Sequence, residues 1–265
     1  MRRLNRHWGE VAVPKLGWVR FRWSRPVPSA RSFRVTCDRA GRWHVTFAAV
    51  PPPIPAPGTG EVIGVDRSAE AVSAATARAE AESAGNVSFL TGDPAEMVFE
   101  RPFDAVVGRF VLQFQDDPAT MLEKLAGNLR PGGVIVFHEL DWSGARSSPP
   151  ASIFDDCRTW VSETIRLSGH EVHMGAKLHS TFVAAGLPAP TMRLEALVGG
   201  GERASGPLQL MAAIARSVLP AAQRLGVAAA AGLDPETLFE RMSNEVQAKN
   251  SFVMGLFQIG AWSQL

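Results

Sequence analysis

A chain of 265 residues with 46% hydrophobic and 20% charged side chains can hold one large or two modest folded units around a real core. Its net charge of +1 hides an asymmetry: residues 1–44 carry eleven Lys/Arg against Glu10 and Asp38, leaving 16 basic and 24 acidic residues for the remainder. Cys37 and Cys157, far apart, exclude a disulfide framework and a cysteine zinc site, and no metal site is expected. No apolar run approaches the roughly 18 to 20 residues that span a bilayer. No apolar stretch follows Arg2 and Arg3 as a secretion signal would require. The expectation is a cytoplasmic protein without a membrane partner.

In chain order, Trp18–Trp23 alternates large apolar residues with arginines, and Phe33–Cys37 and Trp43–Val50 are further β-like runs. Asp38 to Gly41 reads as a hairpin turn between them. Pro51–Pro57, with a proline at five of its seven positions, is a stiff linker. These features predict a small antiparallel β segment over residues 1–58 and a second unit over 59–265. The runs Val13–Trp23 and Arg39–Phe47 resemble the OrfB-type (TnpB) transposases, which are RNA-guided nucleases. The resemblance covers about the first quarter of the chain. It implies nucleic-acid affinity through residues 1–44, where arginines interleave with aromatics; a solvated basic hairpin is the plainer alternative. Gly64-Val65-Asp66 matches the opening of that family's nuclease domain, but no Cys-x-x-Cys pair follows, so nuclease activity is not expected.

From Glu61 onward, short apolar β-branched runs alternate with amphipathic helical segments. Glu61–Asp66, Val87–Leu90, Phe103–Leu112 and Val134–Phe137 are the runs; Ser68–Ser83 and Asp117–Leu129 are the helices, the second with Met121, Leu122, Leu125 and Leu129 inward. This is the pattern of βαβ units building a parallel sheet. Ligands of such sheets sit beyond the carboxyl ends of the strands. There the sequence places Asp66-Arg67, Gly92-Asp93-Pro94, Gly108-Arg109 and His138-Glu139.

Asp66, Gly92-Asp93, the run Phe103–Leu112 and Leu129-Arg130-Pro131-Gly132-Gly133 before an apolar strand together resemble the class I S-adenosylmethionine-dependent methyltransferases, over residues 61–265. The resemblance implies an α/β, Rossmann-like sheet and a small-molecule methyl acceptor. It assigns cofactor binding to Asp66, Arg67, Gly92, Asp93, Pro94, Gly108 and Arg109, with Asp66 on the ribose and Asp93 at the adenine amino group. It places the acceptor near Arg109, His138 and Glu139 as the candidate catalytic residues, His138 as a possible general base. Asp66 reads equally as a helix N-cap, Phe110, Leu112 and Phe114 as plain core, and His138 as a structural histidine.

The departure lies upstream. The family begins with a strand, a glycine-rich loop and a helix whose N-terminus holds the cofactor. Gly58 and Gly60 lie only six to eight residues before Asp66, too close for a strand and a helix. The sheet is therefore expected to lack its usual first βα unit, leaving it either open or partly filled by a segment of the arm, with weakened cofactor affinity. The alternative is a catalytically inactive chimera whose basic arm binds nucleic acid.

Beyond residue 142 the sequence predicts a loop over Ser143–Pro150 and helices over Ser152–Leu167, Met174–Ala185, Leu208–Leu219 and Pro235–Asn250. Pro190–Val198 and Ser251–Trp262 read as late strands, the last antiparallel to its neighbours, with Gly199–Gly201 as a turn. His170 and His173 have the spacing of a shared helix face.

Overall fold

The structure, a computed structural model, describes residues 9–13, 17–21, 45–49, 61–81, 87–227 and 234–265. Strands β1 (Gly9–Val13) and β2 (Gly17–Phe21) form a two-stranded antiparallel ribbon. Strand β3 (Val45–Ala49) leaves the arm and enters the main sheet. The expected strand Phe33–Cys37, the turn Asp38–Gly41 and the linker Pro51–Pro57 lie outside the described residues, as do most of residues 1–44.

The main sheet continues with β4 (Glu61–Asp66), β5 (Val87–Thr91), β6 (Phe103–Arg109) and β7 (Leu129–Asp141). Three more strands complete it: β8 (Arg146–Ser148), β9 (Thr191–Gly200) and β10 (Phe252–Gln264). The order is β5-β4-β3-β6-β7-β10, with β8 and β9 both paired to β10. Strands β4 and β5 are parallel, as are β6 and β7, while β10 runs antiparallel to β7.

The central gap is filled, and filled backwards. Strand β3 is antiparallel to both neighbours, Phe47 facing Ile63 on one side and Val106 on the other. The connection explains the direction. A parallel neighbour needs a crossover of a dozen or more residues, usually a helix, whereas an antiparallel neighbour needs only a short return. Residues 50–60 include five prolines, which exclude a crossover helix. Because Ala49 pairs with Glu61, β3 ends at the amino ends of β4 and β6. At the carboxyl rim β3 presents Val45, its beginning, so no helix follows the strand there. The sequence cut at residue 58 thus falls between two strands that pair with each other.

Helix α1 (Ala69–Ala81) joins β4 to β5, and α2 (Pro118–Ala126) joins β6 to β7. Asp117 caps α2 by accepting from the Thr120 amide, and Pro118 opens it, where its missing N–H costs nothing. Met121, Leu122 and Leu125 turn inward onto Val106, Ile135 and Phe137, as their spacing predicts, and α4 (Met174–Ala184) packs on the same core. Strand β7 begins five residues earlier than expected. Gly132, at φ +78°, bends the chain within the strand, and its amide bonds the Leu265 carbonyl, so pairing extends through the glycines.

The remaining helices, α3 (Ser152–Leu167), α5 (Ser205–Arg224) and α6 (Leu238–Ala248), form a second apolar cluster. That cluster takes in Phe110, Leu140 and Trp142, so it sits over the carboxyl ends of β6 and β7. Glu245 of α6 accepts the Ser152 and Ile153 amides at 2.9 and 2.7 Å, latching the N-terminus of α3 from another helix. The expected loop 143–150 contains β8, three polar residues zipped to Phe252–Met254. Gly199 and Gly200 end β9 rather than forming a free turn. No described helix is long and apolar enough to cross a membrane.

Candidate functional site

At the ends of β4 and β5, each acidic side chain is set by a short local network. Asp66 Oδ1 accepts the Ser68 amide at 2.7 Å, and Ser68 Oγ accepts the Ala71 amide at 3.2 Å. Ser68 is therefore the side chain that caps α1, and Asp66 braces the turn ahead of it. The Gly92 amide donates to the Asp66 carbonyl at 3.0 Å, tying the two strand ends together. Asp93 Oδ1 accepts the Ala95 amide at 2.9 Å around buried Pro94. Arg67 Nη2 then reaches across, donating to Asp93 Oδ2 at 2.5 Å and to Gln115 Oε1 at 3.2 Å. Asp66, Arg67, Gly92, Asp93 and Pro94 thus share one rim, joined by Gln115 to the exit of β6.

At the ends of β6 and β7 the groups are packed far more tightly. A Cβ on Gly108 would stand 2.1 Å from the buried Phe137 ring, so only glycine lets β6 and β7 approach here. Arg109, 4% exposed, donates from Nε to His138 Nδ1 at 3.0 Å and from Nη2 to Gln258 Oε1 at 3.2 Å. Its guanidinium carbon lies 4.5 Å from the Phe110 ring centroid, and that ring stacks on His138. Phe110 has φ +55°, a conformation a large side chain holds only when its surroundings compel it; its amide donates to the His138 carbonyl.

This bonding fixes the state of His138. Since Nδ1 accepts from Arg109, the proton of the neutral ring sits on Nε2. Burial, and secondarily the Arg109 charge, hold its pKa well below the usual histidine value. The ring is a neutral donor at Nε2, which suits the structural reading of His138 better than the general-base one, since a base needs a lone pair facing substrate.

Glu139 points elsewhere. It is 0% exposed, and Oε1 accepts the Val111 and Leu112 amides, both at 2.9 Å. Burial pushes its carboxyl up to about 7, against the opposing pull of these amides and of Arg109. Oε2 has no hydrogen-bond partner among the described residues. The carboxyl holds the one-turn helix Leu112–Phe114 against β7.

Residues 169–176 close over this rim. The Glu171 amide donates to the Gln113 carbonyl, the Trp142 amide to the Val172 carbonyl, and the Ala176 amide to Asp141 Oδ2. His170 meets Phe114 edge-on, and His173 Nδ1 lies 3.5 Å from Asp141 Oδ1. Gly169, at φ +83°, ends α3 just before them, so the two histidines do not share a helix face. Of the expected apolar wall, Phe110 and Leu112 are buried and Phe114 is exposed.

Two residues were missed from sequence, Gln115 and Gln258, while Asp141 was read there only as part of the polar strand end after His138. Gln258 alone left a clear signal, as the single polar side chain in the apolar run Gly255–Ala261. Together the groups make a rim with acidic acceptors at one end and an aromatic wall with a neutral imidazole at the other. Between them β3 presents its amino end, so among the described residues no helix follows β3 at this rim as an anion site.

A sequence profile described as a methyltransferase domain matches residues 49–186. The chain is 34% identical over 106 residues to trans-aconitate 2-methyltransferase of Methylobacterium radiotolerans, 36% of this chain and 39% of that protein. It is 42% identical over 52 residues to malonyl-[acyl-carrier protein] O-methyltransferase of Haemophilus ducreyi, 20% of each protein. These stretches span less than half the length of either relative. Among solved structures it is similar to the YcgJ protein of Bacillus subtilis, at 18% identity and a TM-score of 0.42, covering 77% of this chain and 82% of that one.

Proposed function

The chain belongs to the methyltransferase-domain family, and from that premise we propose that it transfers a methyl group from S-adenosylmethionine to a small-molecule acceptor at the carboxyl rim of its sheet. The single observation that carries the proposal is the pairing of Asp66 and Asp93 on adjacent strand ends, tied by the Gly92 amide. Two carboxylates so placed suit the two polar edges of an adenosine. Asp66 accepts the ribose hydroxyls by charge-assisted hydrogen bonds, and Asp93 accepts the adenine amino group. Arg67 already holds Asp93, but a guanidinium with 59% side-chain exposure forms a weak ion pair that an incoming amino group can displace.

The fit to the cofactor is good at this end and poor at the other. Among the described residues, Asp66 and Asp93 offer acceptors for the nucleoside, while no helix follows β3 at the rim to receive the methionine carboxylate. Bound S-adenosylmethionine supplies an electrophilic sulfonium methyl. The protein's task is then to orient the acceptor and exclude water, and positioning alone can supply much of the acceleration. Phe110 and Leu112 form the dry wall, beside the neutral His138 ring. Arg109 fixes the tautomer of that ring, and Glu139 positions the turn that carries the wall; neither needs to touch substrate. The helical layer of α3, α5 and α6 over the rim favours a small acceptor over a macromolecular one.

Calorimetric titration of the intact chain with S-adenosylmethionine tests the proposal. One-to-one heat release is expected, displaced by S-adenosylhomocysteine. A titration silent at millimolar ligand removes the enzyme reading.

A further inference from the structure

We infer that the chain forms a two-fold dimer by pairing the outer edge of β9 with the β9 of a second copy, around Leu194. Strand β9 pairs with β10 and, among the described residues, with no other strand. A ten-residue edge of this kind presents a row of main-chain donors and acceptors ready for another strand. Its apolar side chains are also unspent. Met192, Leu194 and Val198 are 36%, 52% and 53% exposed. Their ladder partners on β10 include Ile259 and Ala261, which are buried beneath α2 and α4. The apolar face of the sheet therefore runs past its helices onto β9 and stops at solvent.

The charges of β9 favour one register. A two-fold axis perpendicular to an antiparallel pair keeps each side chain on its own face, so facing residue numbers must sum to an even value. Centring on Arg193 opposes two arginines, and centring on Glu195 opposes two glutamates, each destabilising. Centring on Leu194 sets Leu194 against itself and Met192 against Ala196. It also sets Arg193 against Glu195 twice, on the opposite face. These two residues already pair within the strand at 3.0 Å, so their side chains share that face. The ladder runs over 191–197, with Leu197 facing Thr191, and ends where Val198 meets Pro190, which has no N–H to offer. Charges normally placed on an edge to repel partners are here complementary to a second copy of themselves.

Sedimentation equilibrium of the full chain at micromolar concentrations should give twice the chain mass. Leu194→Lys, which sets two ammonium groups face to face on the axis, should yield a folded monomer whose melting temperature no longer rises with protein concentration, as the parent's should. Arg193→Glu should weaken the dimer roughly tenfold, and Arg193→Glu combined with Glu195→Arg should restore it. A monomer at every concentration, a dimer insensitive to Leu194→Lys, or a double variant no tighter than Arg193→Glu would each overturn the inference.

Discussion

Replacing Asp66 by alanine should weaken S-adenosylmethionine binding about ten- to a hundredfold, since hydrogen bonds to a charged group contribute about 1.5–3 kcal/mol and 1.4 kcal/mol is a factor of ten. Asp66 also braces the start of α1 through the Ser68 amide, so alanine removes a structural contact as well. Asparagine separates the two. Asp66→Asn keeps an oxygen for Ser68 and discards only the charge, so binding should still fall while the melting temperature holds. Titration calorimetry on both variants provides the readout; undiminished affinity in Asp66→Asn would remove the ribose assignment.

Glu139→Gln should change how stability depends on pH. The folded protein holds the Glu139 carboxyl at about 7 against an ordinary value of 4.5. The folded state therefore binds this proton more tightly than the unfolded chain does. Stability from that proton is fully present below pH 4.5, is lost as pH rises toward 7, and stays lost above it. The span corresponds to about 3 kcal/mol. Glutamine keeps an oxygen for the Val111 and Leu112 amides and does not titrate. At pH 5 the variant should be no more stable than the parent, and by pH 8 its relative stability should have improved by about 3 kcal/mol. His138 works in the opposite sense: its lowered pKa costs stability on acidification, in both proteins alike, and cancels in the difference. Chemical denaturation of parent and variant at pH 5 and pH 8 measures the change. A constant difference would show that Glu139 is not held by burial against the turn.

What the sequence showed and what it hid follow from range. Strands β4 to β7 were legible because each is a β-branched run bounded by Gly, Asp or Pro, and α2 because Met121, Leu122 and Leu125 keep one helical face. The run Trp43–Val50 was legible as a strand, but its place between β4 and β6 was not, since pairing depends on partners sixteen and sixty residues on. The five prolines over 50–60 disfavour a crossover helix and hence a parallel neighbour. Strand β8, three polar residues long, had no local signature. The rim position of Asp66 and Asp93 was legible from their place at strand ends. What Arg67, Arg109 and Glu139 hold was not, because Asp93, Gln258 and the Val111–Leu112 amides come together only when the strands do. A glutamate at a strand end looks alike in sequence whether it faces ligand or its own backbone.

The most direct test of the central claim is a crystal structure of the chain with S-adenosylhomocysteine. The account predicts the nucleoside across the ends of β4 and β5, ribose on Asp66 and adenine at Asp93, with Arg67 displaced from that carboxylate and β3 running antiparallel beneath. Nucleoside density away from this rim, with the Arg67–Asp93 pair intact, would contradict it.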